Sequence, residues 1–178
     1  MADDWDTTVN EFRREKDQFY KTEHESPIPE NERAGFKGLK YFSPDKRYVI
    51  NAKLKRYEKP DIVTMTTSKG TVQKFYKMGY FEFEISKTKV VLQAYSSAER
   101  EDNNLFVPFR DKTSGKESYG SSRYLDLDMK KDSDSYVLDF NATYNPYCAY
   151  SNDYVCPFAP KENWLSVEIN AGEKKYHD

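Results

Sequence analysis

Histidine is nearly missing from this chain of 178 residues: the only two are His24 and His177. One falls at the end of a predicted helix and the other next to the C-terminus, so a Ser-His-Asp or Cys-His triad would need a contorted geometry. Zinc is disfavoured on the same ground, because two cysteines without a neighbouring histidine cannot complete a tetrahedral site. The expectation is no metal and no cofactor. Long apolar runs are missing too, none nearing the roughly 20 residues that cross a bilayer. The N-terminal MADDWDTTVNEF lacks the basic and apolar regions of a signal peptide. A soluble, cytoplasmic chain with no membrane partner is expected. Neither sign of charge is in excess, with 28 basic and 30 acidic residues and a net charge of −2. Such a balance creates no global field to draw in nucleic acid, and no nucleic-acid partner is expected.

What the chain has is rings. Aromatic residues make up 16%, with 15 Tyr and 11 Phe, against only 37% hydrophobic residues in total. Large rings bury much area each and offset a shortage of Leu and Ile. The length fits one domain, 1–178, able to bury about 70% of its unfolded surface. Residues 3–23 carry Trp5, Val9, Phe12, Lys16, Phe19 and Tyr20 at helical spacing, which predicts a helix packed by that stripe. Asp3, Asp4 and Asp6 suit its N-terminal dipole, and Asp6 or Thr7 suits a cap. Pro27 and Pro29 then mark an ordered connector, and Gly35 and Gly38 around Phe36 mark a turn that pushes a ring inward.

From there the period is two, which predicts a β domain over about 35–173. YVINAKL, DIVTMTT, TVQKFYKMGYFEFEIS, KVVLQAYS, LFVPF, RYLDLDM, SYVLDF and WLSVEIN read as short strands. Ser68-Lys69-Gly70 and Ser86-Lys87-Thr88 read as hairpin connections. Phe81, Phe83 and Ile85 share one face of FEFEIS, with Glu82, Glu84 and Ser86 on the other. The fold expected is mainly β, a small antiparallel barrel or sandwich of about eight or nine strands with one N-terminal helix. A frayed tail is expected at 174–178.

The stretch from Asn104 to Asn163 holds both cysteines and a dense mix of Arg, Asp, Asn, Ser and Tyr. Such a mix costs free energy to bury unless each polar group finds a partner. Thr113-Ser114-Gly115-Lys116 resembles the end of a phosphate-binding loop, but Arg110 and Glu117 stand where that pattern requires glycine and a hydroxyl residue. A polar turn is the simpler reading. Arg110 and Arg123 flank Ser114, Gly115, Ser118, Gly120, Ser121 and Ser122, a set suited to a carboxylate or phosphate. The alternative is a structural network in which these arginines pair with Asp111, Asp126 or Asp139.

Asp126 and Asp128 share a strand face with Tyr124. Asp126 or Asp139 as base, with Tyr119 or Tyr124 as acid, would make a carboxylate-based hydrolase or isomerase. The same carboxylates could hold a hard cation, or simply face solvent. Cys148 and Cys156 close a short loop. They form a disulfide contributing roughly 2–3 kcal/mol, or a reduced structural pair, or a reactive site, which needs a depressed pKa that no basic neighbour in sequence supplies. Tyr144, Asn145, Tyr147, Tyr150, Ser151, Asn152 and Tyr154 interleave rings with polar groups, either to stack on a sugar or base or to build an irregular loop. Asn141-Ala142-Thr143 matches a glycosylation sequon, a pattern common by chance.

Together these motifs predict a domain that binds a small polar or anionic ligand at one end of the barrel. Arg110, Asp111, Ser114, Tyr119, Arg123, Tyr124, Asn141, Tyr144, Asn145 and Asn163 would line the site. An interaction protein, its polar motifs serving only the fold, is the remaining class.

GFKGLKYF near Gly35, LFVPFRDKTSGKESYGSSRYLDL from Leu105 and DFNATYNPYCAYSNDYVCP from Asp139 resemble the DUF1684 family, uncharacterised prokaryotic proteins. The resemblance runs from about Glu11 to Gly172 and departs where Tyr147 and Ser166 stand in place of expected prolines. It implies a single domain and marks the same two motifs. It implies no activity.

Overall fold

The computed structural model describes residues 4–177. Asp3, where the predicted helix begins, and Asp178, the last residue of the tail, lie outside them. The N-terminal helix is α1, Asp4–Thr22, with Asp4 and Asp6 in its first turn. Asp6 and Thr7 are therefore inside the helix, not capping it. Arg13 and Tyr20 are its buried residues. The Arg13 guanidinium lies 4.4 Å from the Tyr41 ring centroid and donates to the Phe42 carbonyl at 2.9 Å. Phe12 and Phe19 from the same stripe remain 52% and 37% exposed, so the stripe packs only in part. A four-residue helix α2, Glu30–Arg33, follows Pro29. Phe36 then inserts beside Tyr20, Ile28 and Tyr150, as its flanking glycines predict.

Six strands follow: β1 Val49–Thr66, β2 Val72–Ile85, β3 Thr88–Ser97, β4 Asn104–Phe109, β5 Arg123–Asp128 and β6 Ser135–Asp139. They form one sheet in the order β5-β4-β3-β2-β1-β6, antiparallel at every pairing. The two edge strands, β5 and β6, are consecutive in the chain. Their connection curls the sheet nearly into a barrel, and the β1–β6 ladder runs on into it where Leu54 donates its amide to the Asp134 carbonyl at 2.8 Å. The Lys130 amide likewise donates to the Tyr136 hydroxyl at 2.9 Å.

Among the described residues the expected eight or nine strands are six, for two reasons. YVINAKL and DIVTMTT are one strand, β1, whose register shifts between Arg56 and Asp61. Such a bulge bends a strand without ending it. WLSVEIN alternates as a strand should, with Val167 and Ile169 buried, but among the described residues it meets the sheet only through an isolated bridge between Arg110 and Trp164 and so forms no ladder of its own.

Inside the curl, Leu54, Phe81, Leu92, Leu105, Phe109 and Leu138 are packed with that C-terminal segment. Phe81, Phe83 and Ile85 point inward together. The turn between β2 and β3 places Ser86 and Lys87 at φ 49° and 64°, the left-handed pair that a tight two-residue hairpin requires. The P-loop-like run is likewise a turn, closed by the Gly115 amide on the Ser118 carbonyl at 3.0 Å.

The strandless segment needs other partners for its backbone, since a buried unpaired amide or carbonyl is costly. Arg123, 1% exposed, provides them. Its Nη2 donates to the Ile169 carbonyl at 2.8 Å, and its Nη1 to the carbonyls of Ala171 and Glu173. Asp111 accepts the Ile169 amide at 2.6 Å, takes the Thr113 hydroxyl at 2.9 Å and sits 3.5 Å from Arg123 Nη2. Burial pulls the Arg123 pKa down and the Asp111 charge opposes it. Asn163 performs a similar service between β3 and β4. Its Oδ1 accepts the Gln93 amide at 2.8 Å, and its Nδ2 donates to the carbonyls of Gln93 and Pro108 at 2.9 and 2.8 Å. In the tail, Lys174 and Lys175 donate backbone amides to Lys40 and Glu117, and the Tyr176 ring packs on Tyr150 at 5.1 Å.

Replacing Asp111 by Ala strands a fully buried guanidinium and orphans the Ile169 amide. The expected loss is about 3–5 kcal/mol, read as a lower urea midpoint at unchanged slope. A loss within the range of an ordinary surface substitution would show that the pair does not hold the segment.

Candidate functional site

A cleft of about 820 Å³ opens between α1 and the outer face of the sheet. Strand periodicity builds one wall. Leu105, Val107 and Phe109 of β4 face the core, so Asn104 and Phe106 face outward. The register sets Phe106 opposite Asp126 and Pro108 opposite Tyr124, bringing the outward residues of β5 to the same place. On β2 a register shift between Lys77 and Gly79 reverses the alternation, so Phe75 joins them. The Phe75 and Phe106 rings stack at 5.4 Å, the Phe106 and Tyr124 rings meet edge-on at 4.7 Å, and Tyr124 meets Tyr144 at 5.7 Å.

Phe12, Lys16 and Phe19 of α1 form the opposite wall, the segment from Tyr144 to Pro157 closes one end, and Glu99, Arg100 and Asp102 stand at the lip. Glu173 holds helix and segment together. Its carboxylate receives the Lys16 ammonium, the Asn145 amide at 2.8 Å and the Tyr150 hydroxyl at 2.7 Å. Lys16 also lies over the rings of Tyr20 and Tyr144, at 5.3 and 5.1 Å. Tyr124 and Tyr144 exchange backbone hydrogen bonds of 2.9 and 3.1 Å, and the Tyr124 hydroxyl donates to the Pro157 carbonyl at 2.5 Å.

One polar cluster faces this aromatic space. Asp126 accepts the Tyr144 hydroxyl on one oxygen and the Asn104 carboxamide on the other at 3.0 Å. Burial, reinforced by the Asp126 charge, pushes the Tyr144 pKa up. Tyr144 is thus a neutral donor, and the cluster offers a ligand a carboxylate already oriented by two neighbours.

Of the residues expected to bind a ligand, Tyr124 and Tyr144 line this cleft, together with the catalytic candidate Asp126. The others lie elsewhere. Asp111, Arg123 and Asn163 stitch the core as described. Asn141 clamps the Asp45 backbone at 2.9 and 3.0 Å, and Asn145 donates to the Lys174 carbonyl at 2.8 Å. Ser114 bonds the Asp111 turn, and Arg110 lies on the Trp164 ring at 4.5 Å. Asp139 accepts from Asn141 at 2.9 and 2.8 Å on the other edge strand, so it forms no pair with Asp126. Phe12, Lys16, Phe19, Phe75, Arg100, Asn104 and Phe106 were not among the expected residues. The α1 stripe reads in sequence as a packed face, and Phe75, Arg100, Asn104 and Phe106 share no pattern with it.

Tyr119 stands apart from Asp126, with its hydroxyl 3.7 Å from the Cys148 sulfur. Cys148 and Cys156 are free thiols, side by side, with the Cys148 amide donating to the Cys156 sulfur at 3.2 Å. Cys156 belongs to the cleft wall. A hydrogen bond from the Cys156 thiol brings the Cys148 pKa down to about 6, against burial and with help from the Tyr119 and Ser68 hydroxyls. The same bond, with burial, pushes Cys156 up. Burial takes Tyr119 up to about 12, so it remains a donor. The depressed thiol that needed a basic neighbour has hydroxyl and thiol neighbours instead. Among the described residues, no three His, Cys, Asp or Glu side chains gather to hold a metal, and no helix is long and apolar enough to span a membrane.

With its pKa lowered to about 6, Cys148 is expected to react above that pH and to be protected as pH falls through it. Iodoacetamide alkylation, followed by peptide mass spectrometry, is expected to titrate with that midpoint at Cys148, and Tyr119→Phe is expected to move it upward. A midpoint at the ordinary thiol value would contradict the hydrogen-bonded arrangement.

No curated protein matches the chain. A solved relative, the solution NMR structure of an uncharacterized protein of Haloarcula marismortui, is 40% identical over 96% of this chain and 94% of its own, with a TM-score of 0.73. Residues 34–174 match the family described as a protein of unknown function, DUF1684. That match takes in the whole sheet and every residue of the Arg123 and Asn163 networks, and the chain belongs to the DUF1684 family.

Proposed function

We propose that this chain is a small-molecule-binding β domain whose ligand, a small polar or anionic molecule with a flat face, lies in the cleft between α1 and β5. The observation that carries this reading is the composition of the cleft. Rings from α1, β2, β4, β5 and the segment after β6 surround one polar cluster in about 820 Å³. Ligand sites commonly have this size and this pairing of an apolar lining with a few oriented polar groups. Phe75, Phe106, Tyr124 and Tyr144 offer stacking faces, while Asp126 and Asn104 accept and donate at the ligand's edge. Arg110 and Arg123 do not line the cleft, so the cationic role passes to Lys16 and Arg100. A cytoplasmic location belongs to the same reading, since Cys148 and Cys156 are unbridged and that compartment keeps thiols reduced.

A second reading, a carboxylate-based hydrolase or isomerase, is favoured by the contact between Tyr144 and Asp126. It keeps Asp126 as base and puts Tyr144 in place of Tyr119 or Tyr124 as hydroxyl partner.

The test is a panel of monosaccharides, nucleosides and aromatic carboxylates screened by thermal shift and saturation-transfer NMR. Asp126 and Phe12 are exposed, so Asp126→Asn and Phe12→Ala are expected to fold as the parent does. Asp126→Asn is expected to weaken binding by about tenfold or more, the loss of one charged hydrogen bond, and Phe12→Ala by less. A binder that neither variant affects would place the site elsewhere.

A further inference from the structure

We infer that Cys148 and Cys156 form a thiol–disulfide exchange site, in which Cys148 attacks a low-molecular-weight disulfide and Cys156 resolves the product into an internal disulfide. The inference stands independently of what the cleft binds. Two reduced thiols are brought together by a short loop, hydrogen-bonded to each other and with unequal access. Cys148 is partly exposed while Cys156 is buried. That asymmetry separates an attacking sulfur from a resolving one.

Inert structural cysteines sit in apolar surroundings, whereas polar groups converge on both of these sulfurs. The Tyr119 hydroxyl reaches Cys148, with the Ser68 hydroxyl beside it. The amides of Tyr147 and Cys148 are directed at Cys156. Tyr124 also adjoins the pair and stays neutral, its hydroxyl held by the Pro157 carbonyl. Hydroxyl donors stabilise the Cys148 thiolate before attack. The two amides stabilise the anion that appears on Cys156 in the second step.

The chemistry balances as follows. The Cys148 thiolate bonds to one sulfur of the small disulfide, whose sulfur–sulfur bond breaks to release one thiolate. Cys156 gives up its proton, which that thiolate takes, and its sulfur attacks the Cys148 sulfur, releasing the second thiolate, which takes a proton from water. The protein dithiol loses two electrons and the small disulfide becomes two thiols.

The experiment uses the full chain and oxidised glutathione, read by intact-mass and non-reducing peptide mass spectrometry. The wild-type protein is expected to lose two hydrogens, to retain no glutathione and to yield a linked Cys148–Cys156 peptide. Cys156→Ser is expected to hold one glutathione on Cys148, released by dithiothreitol. Cys148→Ser is expected to react at Cys156 at least about tenfold more slowly, as burial and a raised pKa dictate. Retention of glutathione by the wild-type protein without the internal bond would overturn the inference. So would reaction that occurs only after unfolding in urea, or equal rates in the two variants. The wild-type measurement involves no substitution, and Cys156→Ala with circular dichroism controls for any loss of fold in Cys156→Ser.

Discussion

A buried ion pair takes the place of a strand in this protein. The chain from Val167 to Glu173 enters the core extended and alternating, with neighbouring backbone bonded, among the described residues, only at its ends, at Val167, Gly172 and Glu173. Arg123 presents its guanidinium to the carbonyls of three alternate residues, and Asp111 takes the Ile169 amide just before them. A planar fork of donors suits this better than an ammonium would, because its geometry is fixed. The charge has no access to water, so Asp111 must stand beside it. The end of the chain, the turn after β4 and the first residue of β5 are locked at one point.

From that point the cleft follows. Glu173 is the last residue that Arg123 grips, and its own carboxylate projects toward α1 and the segment after β6. Lys16, Asn145 and Tyr150 meet there, which sets the helix at a distance from the sheet. Tyr20 packs beneath it while Phe12 and Phe19 do not. The space left between those rings and the outward rings of β4 and β5 is the cleft. Its aromatic character reflects a composition short of aliphatic residues, since the rings that fill a core here also surround an opening.

The thiol pair belongs to the same segment that closes the cleft. Pro146 and Pro157 bound a loop too short to stray, and the bridges from Tyr124 to Tyr144 and from Ser68 to Cys156 return its two ends to the sheet. Two cysteines whose spacing in sequence leaves a disulfide, a reduced pair and a reactive site open become neighbours of unequal exposure, each with its own polar donors.

Period and composition alone were enough to determine the helix, the hairpins, the inward face of FEFEIS and the mainly β fold, because each depends on contacts between residues near in sequence or on alternation along one strand. The same reading marked Arg123, Asp111 and Asn163 as residues with a special environment, and it left open whether they met a ligand or one another. Only the tertiary structure decided that Arg123 and Asp111 meet each other and that Asn163 meets backbone, since the backbone groups they satisfy lie some 46 to 70 positions away and no local pattern encodes that pairing. It also decided the strand count. Alternation shows that a segment is extended with one side buried, but whether a neighbour hydrogen-bonds to it depends on the closure of the sheet. The cleft is likewise a product of the fold: Phe12 on a helix, Phe75 beyond a bulge and Phe106 on an outward strand face share no motif, and they come together because a long-range carboxylate holds the helix off the sheet.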